Sequence, residues 1–169
     1  MPDDAYGLAE IASGFNRKTL ISPLHAAMLA SVVVNNGIMM APWLVERVSD
    51  ISGGLLYQRK AVQLASPVSR KTAEDLKVLM RGTVLYGTCR EFFQRLRRKK
   101  AFKNVYLGAK TGTINDKKDQ FKYDWLMGYV LPRNGLKPIS FAVLGIHGEK
   151  LGLRSNELGR YIIKYYITS

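Results

Sequence analysis

One short run in this sequence brings together what a peptide-like, carboxylate-bearing ligand would need: Gly108-Ala109-Lys110-Thr111-Gly112-Thr113. It closes a stretch, Val105 to Thr113, that reads as a strand. Gly112 carries no side chain, so a ligand backbone can lie close against the strand edge. Lys110 sets a cation beside that edge, and the hydroxyls of Thr111 and Thr113 can hydrogen-bond a carboxylate. Taken alone, the same residues also describe a strand end with a surface lysine.

Other chemistries find less support. Cys89 is the single cysteine, so no disulfide can form within the chain, and with His25 and His147 it shows no metal-ligand spacing. No metal and no cofactor is expected. A serine hydrolase built on His25 or His147 lacks the G-x-S-x-G elbow. The charge balance says more: 26 Lys+Arg against 13 Asp+Glu give a net charge of +13 and a pI near 10.0. Such a surface attracts anions, whether nucleic acid, anionic lipid or anionic wall polymer. Arg90, Arg95, Arg97, Arg98, Lys99, Lys100 and Lys103 cluster, with Phe92, Phe93 and Phe102 among them. That pattern suits phosphate contact with base stacking. It equally suits a solvated helix face whose phenylalanines point into a core, and the second reading is preferred.

The elements that must position these residues are those of an α+β domain. The 169 residues, 47% hydrophobic, make one ordinary globular unit. Ser22-Pro23 opens a helix, apolar on all sides to Asn36, with Asn35-Asn36-Gly37 as its stop. Trp43 to Val48 and Leu55 to Val62, around Ser52-Gly53-Gly54, read as a peripheral hairpin. Thr72 to Asp75 resembles a capping box, followed by a Leu76, Leu79, Met80, Thr83, Val84 stripe ending at Gly87. Arg90 to Leu96 is a further helix. Three main strands follow: Val105 to Thr113, Tyr123 to Leu131 and Ile139 to Ile146, the last covered on both faces. They are expected to form an antiparallel sheet. Pro132-Arg133-Asn134-Gly135 turns the chain. A last helix, with Ser155 as its cap, should bury Leu158, Tyr161, Ile162, Tyr165 and Tyr166. The acidic start Met1-Pro2-Asp3-Asp4 is unlike a signal peptide, and the apolar run Ala26 to Val34 is too short to span a membrane.

Several of these stretches together resemble the penicillin-binding transpeptidases. Lys110-Thr111-Gly112 matches the family's K-T-G signature. Ser22-Pro23-Leu24, Val34-Asn35-Asn36-Gly37 with Ala41-Pro42, Leu79 to Thr88, and Asp124-Trp125-Leu126-Met127-Gly128-Tyr129 resemble other family stretches, in family order. The resemblance implies that residues 1–169 are one partial transpeptidase domain, the C-terminal half of a penicillin-binding, β-lactamase-like fold. It implies a peptidoglycan D,D-transpeptidase that forms a serine acyl-enzyme and binds penicillin, with the D-Ala–D-Ala stem peptide and β-lactams as partners. Lys110 and Thr113 take catalytic roles by this match: Lys110 supplies positive potential, and the Thr113 N–H helps stabilise the oxyanion. Thr111, Gly112 and Thr113 take substrate-binding roles. The implied location is the extracytoplasmic face of the bacterial cytoplasmic membrane, through an anchor elsewhere in the parent. An anionic wall polymer or lipid surface is a further partner class, and nucleic acid is not expected.

The departures matter as much. No serine here has lysine three residues on or asparagine two residues on. The family's S-x-x-K and Ser-x-Asn elements are therefore expected in an upstream part of a longer protein, and this chain should be inactive alone. Two alternatives stay open: a non-catalytic domain of the same fold, and a basic nucleic-acid-binding module. In the family, upstream strands and helices complete the sheet and cover the cleft, so this chain should leave a strand edge or apolar face uncovered. A dimer (a homo-oligomer of this chain), a strand exchange or a collapsed loop is expected to cover it; sedimentation giving a clean monomer over a wide concentration range, with well-protected amides throughout, would contradict this.

Overall fold

A computed structural model describes residues 4–15, 19–133 and 135–169. Met1, Pro2 and Asp3 of the acidic start and Asn134 of the turn lie outside the described residues. The elements run α1 (Ala5–Ser13), α2 (Pro23–Val34), β1 (Met39–Met40), β2 (Arg47–Ser49), β3 (Leu55–Gln58), β4 (Gln63–Ala65), α3 (Arg70–Leu85), α4 (Arg90–Arg97), a 3-10 turn (Lys100–Phe102), β5 (Tyr106–Asn115), β6 (Lys122–Leu131), β7 (Ile139–His147) and α5 (Ser155–Thr168). The fold is α+β.

The three long strands pair antiparallel in the order β5-β6-β7. The β5–β6 ladder is unbroken from Tyr106↔Leu131 to Asn115↔Lys122, and β6–β7 from Lys122↔His147 to Val130↔Ile139. Asp116 closes the β5–β6 hairpin: its Oδ1 accepts from the N–H groups of Gln120 at 2.7 Å and Phe121 at 3.0 Å. The outer edge of β7 has no strand partner among the described residues.

Side-chain alternation divides the sheet into two faces. Leu107, Ala109, Leu126, Val130, Phe141 and Val143 share one face and form the main core with Phe93 and Leu96 of α4, Phe102 of the 3-10 turn, and Ile163 and Ile167 of α5. The phenylalanines of the basic segment therefore point inward, as the preferred reading of that segment expects: Phe93 and Phe102 are buried and Phe92 packs against the same core. The opposite face holds Tyr129 against Val33 of α2 and Met80 of α3. Its hydroxyl donates to the Lys77 carbonyl at 2.7 Å. Burial pushes the Tyr129 pKa up, Tyr106 adding to the shift and the Arg81 charge opposing it.

Helix starts follow the predicted chemistry at α2, where Ser22 Oγ accepts from the His25 N–H at 3.1 Å and Pro23 takes the first position. α2 is buried or half-buried all round from Ala26 to Val34, as its apolar composition indicates, and Leu24 in its first turn stands exposed. α1, capped by Asp4, was not foreseen. α3 starts earlier than the Thr72 capping box: Ser69 Oγ accepts from the Thr72 N–H at 3.1 Å, which puts Thr72 inside the helix. Of the predicted stripe Met80 and Val84 are buried and Leu76 and Thr83 half-buried, whereas Leu79 is 66% exposed and Ala73, one turn earlier, is buried. β2 and β3 make the expected exposed hairpin, although their strands are shorter than predicted; β1 pairs with β4, a small ribbon the sequence did not reveal. β7 is not covered along both faces, since Ile146 is 59% exposed.

The largest correction is at α5. The predicted stripe faces outward: Leu158, Tyr161, Ile162 and Tyr165 are exposed, and of that set Tyr166 alone packs on the core. Ser155, Gly159, Ile163 and Ile167 face the sheet instead. The cause is close approach. A side chain at Gly159 would put its Cβ 2.3 Å from Leu126 Cδ2. Ser155 is the first helical residue, not the cap, and its N–H donates to Asp124 Oδ2 at 2.8 Å. A glycine and a small polar residue set the contact, so hydrophobicity pointed to the wrong side.

Gly108 sits under the Tyr129 ring, where an added Cβ would lie 2.3 Å from the hydroxyl oxygen. Gly108→Ala should therefore destabilise the fold by about 2 kcal/mol or more, measured by urea unfolding. A change within about 0.5 kcal/mol would show that Tyr129 moves freely.

Candidate active site

β5 carries the run singled out from the sequence. In an antiparallel ladder, alternate residues turn their N–H and C=O groups toward the neighbouring strand and away from it. The Ala109 carbonyl points away from β6, because the Thr83 hydroxyl of α3 donates to it. Thr111 and Thr113, at the same parity, therefore present their backbone groups to the outer edge as well. α3 takes up that edge as far as Ala109. Beyond it, the edge at Thr111 and Thr113 is open.

The same parity separates the side chains. Lys110 and Gly112 share the face of Met127, Trp125, Leu144 and Ile146; Thr111 and Thr113 belong to the face of Leu126 and Asp124. Lys110 is exposed and its ammonium donates to the Thr111 carbonyl at 2.5 Å. Thr111 is half-buried, with its Oγ1 2.8 Å from Thr88 Oγ1 in the segment after α3. Thr113 is exposed, and its hydroxyl has no partner among the described residues.

A groove of about 780 Å³ runs beside this edge. Tyr123, Trp125, Met127, Leu144 and Ile146 form its apolar floor, Lys110 to Asn115 one wall, and Leu20, Ile21 and Ala26 part of the other. Lys117 and Lys118 of the β5–β6 hairpin stand at its rim. Gly112 is informative here. A Cβ on it would meet Trp125 Cβ at 3.6 Å, an ordinary contact. Nothing in the packing requires glycine at 112, in contrast to 108; what glycine provides is clearance above the strand.

The remaining reactive side chains have structural occupations. Cys89 is buried, and burial raises its thiol pKa, against hydrogen bonds from Thr83 and Thr88 and the Lys110 charge. A protonated, enclosed thiol is a poor nucleophile. His25 contributes its backbone N–H to the α2 cap. His147 Nδ1 accepts from the Gly152 N–H at 3.1 Å, and Nε2 lies 3.7 Å from Asp124 Oδ2. Ser155 is close to this pair through its backbone, but its hydroxyl is buried. The three residues tie α5 to the sheet and face no open site. Among the described residues there is no group of three or more His, Cys, Asp or Glu that could hold a metal, and no helix long and apolar enough to cross a membrane.

Sequence reasoning found the β5 residues and missed the groove floor. In the sequence Tyr123 and Trp125 stand out only as strand residues, Trp125 also within the family-like stretch Asp124 to Tyr129, and Thr88 as the end of another such stretch. The period-2 rule applied to the paired strands would have set Trp125 opposite Gly112, but only with the register known.

The antiparallel sheet is thus flanked by helices, with Lys-Thr-Gly on an edge strand above an apolar groove. The chain belongs to the penicillin binding protein transpeptidase domain family, whose pattern matches residues 2–144. It is similar to penicillin-binding protein 4 of Bacillus subtilis (strain 168), at 32% identity over 129 residues, 75% of this chain and 18% of that protein. Among solved structures, penicillin-binding protein A from M. tuberculosis, as an imipenem acyl-enzyme complex, has a TM-score of 0.71 at 22% identity, over 98% of this chain and 36% of that one. The D,D-transpeptidase domain of a peptidoglycan glycosyltransferase from Eggerthella lenta has a TM-score of 0.65 at 22% identity, over 85% of this chain and 31% of that one. The chain thus spans a minor part of each relative's length.

The glycine argument can be measured on the chain as it is. Gly112→Ala should change unfolding stability by no more than about 0.5 kcal/mol. A loss of about 2 kcal/mol would mean that packing, not clearance, requires this glycine.

Proposed function

We propose that this chain is the K-T-G half of a D,D-transpeptidase active site in a longer peptidoglycan-synthesising protein. The observation that carries the reading is the open β5 edge: the outward backbone of Thr111 and Thr113 stands beside the Lys110 cation and above an apolar groove. A strand edge of this kind can take an extended peptide by main-chain hydrogen bonds, with the groove accepting side chains.

In this reading a serine from the rest of the protein attacks the D-Ala–D-Ala carbonyl. The acyl group is then passed to an amine on a neighbouring stem peptide, and β-lactams acylate the same serine. The Thr113 N–H donates to the developing oxyanion, an interaction worth about 3 kcal/mol in the transition state. The nucleophile's own N–H is the second donor. The substrate carboxylate is held by the Thr113 and Thr111 hydroxyls. Thr111 can do this while accepting from Thr88, because a hydroxyl both donates and accepts. Lys110 contributes positive potential and leaves the Thr111 carbonyl to bond the Ser-x-Asn element. The site works on the outer face of the bacterial cytoplasmic membrane, held there by an anchor in the parent.

The chain alone should not react, because no serine in it has a lysine base at the family's spacing. The test is a fluorescent-penicillin gel with mass spectrometry on this chain and on the full-length protein. No adduct is expected on the chain, and a serine adduct on the parent. Lys110→Ala in the parent should fold normally and slow acylation by about tenfold or more. An adduct on this chain would overturn the nucleophile argument. A parent that takes no label would leave the non-catalytic domain of the same fold as the answer, and unchanged acylation in the variant would make Lys110 a surface lysine.

A further inference from the structure

α4 packs on the core through Phe93 and Leu96, both buried, and this fixes which of its sides faces water. Arg90, Gln94, Arg97 and Arg98 lie on the outer side at helical spacing. Together with Leu85 they line a pocket of about 280 Å³, to which none of the K-T-G residues contributes. No carboxylate lines it. The ion pairs among the described residues join Arg70 to Glu74, Lys71 to Asp75 and His147 to Asp124, so none of the three arginines is neutralised in that way. Arg97 is held in place, its Nη1 donating to the Val84 carbonyl in the last turn of α3 at 3.4 Å.

Guanidinium groups gathered at one concavity repel each other until an anion sits among them. Their planar forks match the oxygens of phosphate better than an isolated ammonium does. The pocket offers nothing for a nucleobase. Phe93 and Phe102 are buried, and Phe92 packs against the core, so the segment has no exposed ring on which a base could stack. We propose that Arg90, Gln94, Arg97 and Arg98 form a binding site for the phosphate group of an anionic amphiphile or polymer, read through its oxygens alone. The inference is independent of the transpeptidase reading.

The test is a titration of the isotope-labelled chain with inorganic pyrophosphate at low salt, followed by NMR. The backbone signals of Arg90, Gln94, Arg97 and Arg98 should shift. Arg97→Ala/Arg98→Ala should weaken binding about tenfold or more. Lys99→Ala/Lys100→Ala removes the same charge next door but outside the pocket, and should weaken it by less than about threefold. If the arginine double variant unfolds, Arg98→Ala, at an exposed residue just past the helix, gives the same reading. Cosedimentation with phosphatidylglycerol vesicles separates the sources. Arginine-dependent vesicle binding that pyrophosphate displaces assigns a lipid headgroup, and pyrophosphate binding without vesicle binding assigns a soluble phosphate. Three results would each overturn the proposal: no pyrophosphate binding at low salt, an equal loss in the lysine variant, or tighter binding of a thymidine oligonucleotide than of polyphosphate of equal charge.

Discussion

A tyrosine ring pressed onto a glycine sets the register on which this structure depends. Tyr129 covers Gly108 across the β5–β6 ladder and is anchored at its far end by the Lys77 carbonyl of α3. Side chains alternate along a strand, so a slip of one residue would turn Lys110 and Gly112 toward the core and bring Thr111 to the groove. The same register turns the Ala109, Thr111 and Thr113 backbone groups outward. α3 is joined to β6 through the Lys77 carbonyl and to β5 through the Thr83 hydroxyl, so one helix both locks the register and decides how much of the strand edge remains open.

The division between what was readable and what was not follows the physics of each signal. Local signals were readable: Ser22-Pro23 starting α2, Gly-rich chemistry at Ser52, and long apolar strands separated by polar turns. The K-T-G run was readable because its residue types are unusual together. What failed depended on contacts between distant residues. α5 presents a glycine and a serine to the sheet because Leu126 and Asp124 approach there, and no property of α5 alone discloses this. At α3 the cap is Ser69, three residues before Thr72, so the helix begins almost a turn earlier than the Thr72 pattern indicates. The groove floor needed the register of three strands at once.

The basic segment shows how burial can narrow a functional reading. Its composition allowed both phosphate contact and base stacking. With the phenylalanines directed inward, the segment keeps its charge on the outside while serving as part of the core on the inside. The two roles coexist because an eight-residue helix has room for both a packed side and a charged side.

The grip of α5 on β6 has a mechanical side. Asp124 and Leu126, the residues that α5 holds, flank Trp125 in sequence, and Trp125 points through the sheet to the groove floor. The floor is thus clamped from behind at both of its neighbours, whereas the wall at Thr111 and Thr113 has a strand on its inner side only. Because the wall is laddered to that same floor, a guest that lies along the edge meets a bed and a rim whose relative position is already set from the far side of the sheet.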